Sequence, residues 1–303
     1  MAKTAYITHP DCRLHDMGSY HPECPQRLQA IDDYLLSQGV DTLLTPYDAP
    51  LVALEALFRV HAKSYVEKLR ETSPTAGIVH LDADTAMNSH SWKAALRAAG
   101  AAVLAVDLVM RGEVDNAFCA IRPPGHHALR AAAMGFCIFN NVAVATAHAL
   151  EEHHLERVAI IDFDVHHGNG SEEAFSGDAR VLMCGIFQHP FFPFSGAHDA
   201  AANMLNVPLA RGAGSKEFRA VVEQQWIPRL ESFKPQLILI SAGFDAHRED
   251  DIGGLELVED DFAWCTDQLK KLAQGRIVSM LEGGYNLDAL ARCVAAHLKV
   301  LVG

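Results

Sequence analysis

Four short segments concentrate the residues able to do acid–base or metal chemistry: Arg122-Pro-Pro-Gly-His-His127, Asp162-Phe-Asp-Val-His-His-Gly-Asn-Gly170, Ser241-Ala-Gly-Phe-Asp245 and Leu281-Glu-Gly-Gly-Tyr285. Asp164 and His166 stand two apart, so an extended or gently turning segment aims both to one side, and a zinc site then needs a third ligand from elsewhere. Asp245 is the best candidate. Two carboxylates and one imidazole leave a coordination position open, the mark of a catalytic rather than a structural metal site. On these residues alone another reading stays open, in which Asp164 caps a helix and His166 is satisfied in a loop.

The Arg122-Pro-Pro-Gly turn is rigid and presents His126 and His127 on a defined loop, where adjacent imidazoles suit proton transfer to and from an activated water. Asp162 and Asn169 flank the metal motif at places suited to orient His126 and His127 respectively. Tandem histidines can also be incidental. That is the reading for His153-His154, embedded in Glu151-Glu-His-His-Leu-Glu156, which looks like a solvated helix face. Tyr285 follows two glycines and can offer its phenol to an oxyanion opposite the metal, although Gly-Gly-Tyr is also a common turn. Gly135-Phe136 and Phe191-Phe192-Pro193 could line an apolar tube or be ordinary core plugs.

These segments need a scaffold that brings them together. Apolar, β-branched runs at Thr4–Thr8, Phe118–Ile121, Val158–Phe163, Val181–Phe187, Leu237–Ser241 and Ile277–Leu281 predict buried parallel strands. Helical patterns run over Glu23–Ser37, Leu54–Glu71, Ser89–Met110, Phe139–His154, Ser215–Phe233, Asp260–Ala273 and Leu287–Leu301. The alternation predicts an α/β fold, a three-layer α/β/α sandwich on a mainly parallel sheet. With no internal repeat or linker, residues 1–303 read as a single domain. All four chemical segments follow predicted strands, and in such sheets ligands bind outside the strands' carboxyl ends.

Composition narrows the function classes. The 25 basic and 38 acidic residues give a net charge of −13, which argues against nucleic-acid binding. The longest apolar stretches, Ala98–Val106 and Leu237–Ala242, fall short of the roughly 20 residues that span a bilayer. No secretory or transit signal is visible in MAKTAYITHP, so no membrane association and a cytoplasmic location are expected. Seven cysteines without a C-x-x-C pair suggest neither a disulfide framework nor a thiolate metal site. The 17 histidines, three times in tandem, direct attention to metal or acid–base chemistry.

Taken together, RPPGHHA at 122–128, GFCIFNN at 135–141, DFDVHHGNG at 162–170, SAGFDAH at 241–247, LEGGYN at 281–286 and His21-Pro-Glu-Cys-Pro-Gln-Arg27 resemble the histone deacetylase superfamily, which includes acetylpolyamine amidohydrolases and acetoin-utilisation proteins. The resemblance covers nearly the whole chain and implies an arginase/deacetylase-like fold. It also implies a zinc-dependent deacylase acting on an N-acyl, foremost N-acetyl, lysine of a peptide or protein, or on an acetylated amine. An acetylpolyamine amidohydrolase is the alternative. A manganese ureohydrolase and a non-catalytic acyl-amine binding module are more distant ones.

Residue by residue, the resemblance places Zn²⁺ on Asp164, His166 and Asp245, with Tyr285 on the oxyanion and His127 as base and then acid. His126, paired with Asp162, would supply electrostatic stabilisation. It implies a structural K⁺ on Asp162 and the carbonyls of Asp164 and His166, with further ligands near Gly185 and Ile186, and a second monovalent site on carbonyls around Phe175, Asp178 and Val181. Arg27 would border an acetate channel. Gly135, Phe136 and Phe192 would form the substrate tunnel and Ile252 its rim, near Glu249, Asp250 and Asp251; Asp82 and Asp84 could hold a substrate backbone. Asn169 stands where other branches carry Asp, as in class II-like members. Monomer and homo-oligomer both remain open.

Overall fold

The computed structural model describes residues 1–198 and 200–303. The strands are β1 (Thr4–Thr8), β2 (Leu44–Asp48), β3 (Ile78–His80), β4 (Ala86–Asn88), β5 (Asn116–Cys119), β6 (Val158–Asp162), β7 (Val181–Gln188), β8 (Met204–Leu209), β9 (Leu237–Ala242) and β10 (Ile277–Leu281). Eight of them form one sheet in the order β2-β1-β5-β10-β9-β6-β7-β8, parallel throughout, while β3 and β4 make a small antiparallel ribbon. The central strands β6, β7, β9 and β10 are buried at every residue, which is why they read as continuous apolar runs in the sequence.

The edge strands β2 and β8 escape that reading. They are only partly buried and carry Pro46 and Pro208, which lack the N–H that a central strand would donate to a neighbour.

The helices are α1 (Gln26–Ser37), α2 (Leu54–Phe58), α3 (Lys63–Thr72), α4 (Ser91–Met110), α5 (Asn141–Glu151), α6 (Asn169–Phe175), α7 (Ser215–Val221), α8 (Ile227–Phe233), α9 (Glu259–Lys270) and α10 (Leu287–Val302). α1, α10 and α9 pack against one another on one face of the sheet, and α4 against α5 on the other. α7 and α8 run together through one wider turn, Val222–Trp226, so the single helix expected there holds.

Two expected helices are corrected. Leu54–Glu71 breaks into α2 and α3, because His61 turns inward, its Nδ1 2.9 Å from the Leu129 carbonyl and its Nε2 accepting from Asn140 N–H at 2.9 Å. The helix expected to reach His154 ends at Glu151; His154 takes a positive φ and His153 leaves the helix. Asn140 and Asn286 cap α5 and α10, each accepting a backbone N–H from the residue three ahead, at 2.9 and 3.0 Å. Both caps follow segments that carry site residues, so the helices anchor the loops at the sheet's carboxyl edge.

Candidate active site

The fold delivers the loops after β5, β6, β9 and β10 to one end of the sheet. Asp164 and His166 follow β6 and Asp245 follows β9, and their ligand atoms all lie within 4.8 Å of one another. His166 Nδ1 sits 3.0 Å from Asp164 Oδ1 and 3.2 Å from Asp245 Oδ2. Backbone N–H groups fix the carboxylates. Asp164 accepts from His166 and Gly283, both at 2.9 Å, and Asp245 Oδ1 accepts from Val165 at 2.9 Å. Asp245 Oδ2 is buried and no donor meets it in hydrogen-bonding geometry, the nearest being His166 Nδ1 at 3.2 Å.

Glycines make room for these oxygens. A Cβ at Gly168 would fall 2.2 Å from Asp162 Oδ2, one at Gly243 2.0 Å from Asp164 Oδ2, and one at Gly283 2.0 Å from Asp245 Oδ2.

The two histidines after β5 lie 4.0 Å apart between ring centres at a tilt of 43°, each with its own partner. His126 Nδ1 lies 3.0 Å from Asp162 Oδ2, and His127 Nδ1 lies 2.7 Å from Asn169 Oδ1. An amide oxygen only accepts, so the pairing sets the proton on His127 Nδ1 and leaves Nε2 as an acceptor.

The charges of the two rings diverge. Burial alone would lower both. At His126 the carboxylates of Asp164 and Asp162 overcome it and raise the pKa well above the ordinary imidazole value, whereas at His127 burial, reinforced by charge on His126 and His166, lowers it well below. The two shifts run in opposite directions, toward a cation at His126 and toward a free base at His127.

The carboxylates show the complementary strain. Asp162, Asp164, Asp245 and Glu282 are all buried within this loop cluster. Among the described residues no Lys or Arg hydrogen-bonds any of the four side chains; their partners are backbone N–H groups, Ser241 and the histidines. Burial, with the charge of Asp164, pushes Asp245 up to about 7, and burial likewise takes Glu282 to about 7. His166, despite burial, is drawn up to about 10 by Asp164 and Asp245. An excess of negative charge with an unpartnered oxygen at its centre suits a cation.

Above this cluster opens a cavity of about 180 Å³ lined by Asp84, His127, Gly135, Phe136, His166, Phe191, Phe192, Ile252 and Tyr285. Phe192 stands edge-on to His127 at 5.3 Å, Phe191 stacks on His166 at 5.3 Å, and Phe136 stands edge-on to Tyr285 at 5.8 Å. A Cβ on Gly135 would strike the His127 ring at 2.4 Å, so only glycine lets this wall approach the base. Phe136 adopts a positive φ of 68°, and its N–H donates to Thr85 Oγ1 at 3.0 Å.

The expected tunnel and rim residues Gly135, Phe136, Phe192 and Ile252 line this one cavity, and the acids near it take different places. Asp250 turns inward, accepting from Tyr285 N–H at 2.6 Å and Ile252 N–H at 3.0 Å, while Glu249 pairs with Arg292 at 2.7 Å. Asp84 is the acid that faces the cavity, and Asp82 instead caps the turn beneath it, accepting from Thr85 N–H at 2.6 Å.

Arg27 is fully buried, donating from Nε to the Gly284 carbonyl at 2.7 Å with its guanidinium 5.1 Å from the Tyr285 ring centre. Gly185 and Ile186 lie on β7, with Gly185 in register with Asp162. The carbonyls of Phe175, Asp178 and Val181 converge, but on a side chain: Asn203 Nδ2 lies 2.9, 3.1 and 3.0 Å from them, standing where the sequence reading places a second monovalent cation.

Two positioning residues stand in segments the sequence reading names, without a role assigned to them there. Glu282 Oε2 accepts from Gly125 and His126 N–H at 2.6 and 3.1 Å, holding the histidine loop, and Asp250 ties Tyr285 to Ile252.

The Histone deacetylase domain family matches residues 21–301. The chain is 37% identical to the Histone deacetylase-like amidohydrolase of Pseudomonas aeruginosa over 93% of this chain and 77% of that one. It is 36% identical to the human Polyamine deacetylase HDAC10 over 99% of its own length but spans only 48% of that relative. The solved structure of the HDA15 HD domain superposes with a TM-score of 0.95 at 34% identity, covering 99% of this chain and 91% of that one. The chain belongs to the histone deacetylase family.

Proposed function

We propose that the protein is a zinc-dependent deacylase that hydrolyses the amide of an N-acyl, foremost N-acetyl, lysine or related amine to the free amine and a carboxylate. The observation that carries this reading is the convergence of Asp164, His166 and Asp245, with one carboxylate oxygen unpartnered, at the base of an apolar cavity that also holds His127 and Tyr285. Those three residues would hold the zinc, which when bound would polarise the acyl carbonyl and lower the pKa of water toward about 7.

The chain's own residues supply the rest. His127, kept neutral with Nε2 free, takes a proton from the attacking water and returns it to the leaving amine. His126, held cationic by Asp162 and Asp164, stabilises developing negative charge, and the Tyr285 hydroxyl donates to the oxyanion. The aromatic walls exclude water around an extended alkyl chain. Behind the histidines, Asp162, the carbonyls of Asp164 and His166, Gly185 and Ile186 would hold a potassium ion that offsets the remaining surplus of carboxylates. Arg27, beside Tyr285, would border the exit for the released carboxylate.

Asp84 favours a second reading, in which the substrate is an acetylated polyamine. Its carboxylate lines the cavity, where a cationic chain beyond the acyl amine would meet it. A panel of acetyl-lysine peptides, longer acyl-lysine peptides and acetylpolyamines decides between them. Activity should vanish on chelation, return with zinc, and fall about 10²–10³-fold in kcat for Tyr285→Phe. Activity that survives both treatments would overturn the mechanism.

A further inference from the structure

A second group of metal-ligating side chains lies at the opposite pole, near the amino ends of the strands. The chain leaves α5 after Glu151, and His153 turns back against the helix instead of standing on a solvated face. Its Nε2 comes to 2.7 Å from Asp107 Oδ1, in the last turn of α4. His148 Nε2, from the last turn of α5, reaches the same oxygen at 2.8 Å. The three donor atoms lie within 4.8 Å of one another, and the imidazole rings meet edge to face at 5.5 Å.

Two features distinguish this cluster from an ordinary hydrogen-bonded pin. Both imidazoles converge on one carboxylate oxygen, leaving the other to the exposed Arg111 at 3.3 Å. The side chains are sheltered but not sealed, with 11, 18 and 21% exposure for His148, His153 and Asp107, so an ion could enter and keep solvent on its open positions. Donors about 2.0–2.1 Å from a tetrahedral ion stand about 3.3 Å apart, so opening each contact by roughly half an ångström makes the site. Two imidazoles and one carboxylate select a first-row transition cation over calcium or magnesium, which prefer oxygen.

We propose that Asp107, His148 and His153 form a peripheral site for a divalent first-row cation such as zinc, pinning the end of α5 to α4 without a part in amide hydrolysis. The site spans two helices and the chain that feeds β6, so its occupancy stabilises the fold by linkage. Arg111, just past the end of α4, and the neighbouring Arg59–Glu152 ion pair place mixed charge around it and would set which anions complete the coordination.

The test uses the enzyme as purified, with its existing metal content as the baseline, dialysed against zinc chloride. Elemental analysis should show one additional equivalent per chain, and NMR signals from the His148 and His153 rings should move with it. His153→Gln, at a partly exposed loop position, and Asp107→Asn should each lose the additional equivalent and its rise in thermal midpoint while keeping baseline metal and kcat/KM. No additional equivalent with unmoved ring signals, or an equivalent that persists in both variants, would overturn the site. The ring signals of His148 and His153 report on this cluster alone, so its occupancy is read apart from whether zinc serves the active site.

Discussion

Glu23 and Glu282 are both fully buried glutamates, yet one is held at about 2 and the other at about 7. Burial pushes each of them up, and the difference lies in the neighbours. Glu23 receives the guanidinium groups of Arg122 and Arg27, the first through two hydrogen bonds and the second at 3.1 Å, with His15 close by. Glu282 has only N–H groups, a serine hydroxyl and the distant pull of His126. Arg27 bridges the two regions, since it also donates to the carbonyls of Glu282 and Gly284. The Glu23 cluster has more guanidinium than carboxylate charge and serves as a frame. The carboxylate cluster beyond it is open by charge, and that imbalance is what a cation would relieve.

Removing an arginine from the frame should have the largest effect. Arg122→Met leaves the Glu23 carboxylate short of its main partner, and unfolding in urea should show a loss of about 3–5 kcal/mol. A loss under 1 kcal/mol would mean the frame does not depend on the Arg122–Glu23 pair. The opposite sign is expected in the open cluster. Asp245→Asn should abolish activity and metal retention, yet leave metal-free protein at least as stable as metal-free wild type; a large drop in thermal midpoint would count against mutual repulsion among these carboxylates.

Acid sensitivity offers a finer separation. A carboxyl held at about 2 when folded and near 4.3 when unfolded contributes stability that is complete above about 4.3 and lost as the pH falls toward 2. Glu23→Gln should therefore flatten the stability profile across that window. An unchanged slope would remove Glu23 from the account. The smallest effect concerns catalysis. Asn169→Asp would put a carboxylate on His127 Nδ1 and raise its pKa, so the acidic limb of kcat/KM should move up by about one unit, and a limb that stays put would show that another group sets it.

The strand ends were legible because parallel strands buried on both faces announce themselves as apolar runs, and the chemical residues directly follow them. Type and spacing single out His126, His127, Asp164, His166, Asp245 and Tyr285, and the fold brings all six to one end of the sheet, with His127, His166 and Tyr285 lining the cavity. What escaped depends on long-range contact. β2 and β8 are half-buried and interrupted by proline, and His61 breaks a helical pattern only through partners far along the chain. Asp250 sits in an acidic run that resembles surface, and its inward turn shows only when Tyr285 comes beneath it. His153 followed a helical pattern that simply stopped early, because Asp107 lies 46 positions away.

The glycines behind the carboxylates carry a consequence for sequence variation. Gly168, Gly243 and Gly283 have no functional group, yet an added methyl at any of them would fall on a carboxylate oxygen of the site. In a saturation library scored for activity, these positions should be as intolerant as the acids they back, and alanine should fail nearly as badly as tryptophan. The site is thus specified as much by three mandatory voids as by its reactive atoms, and any transplant of the chemistry to another scaffold has to carry both.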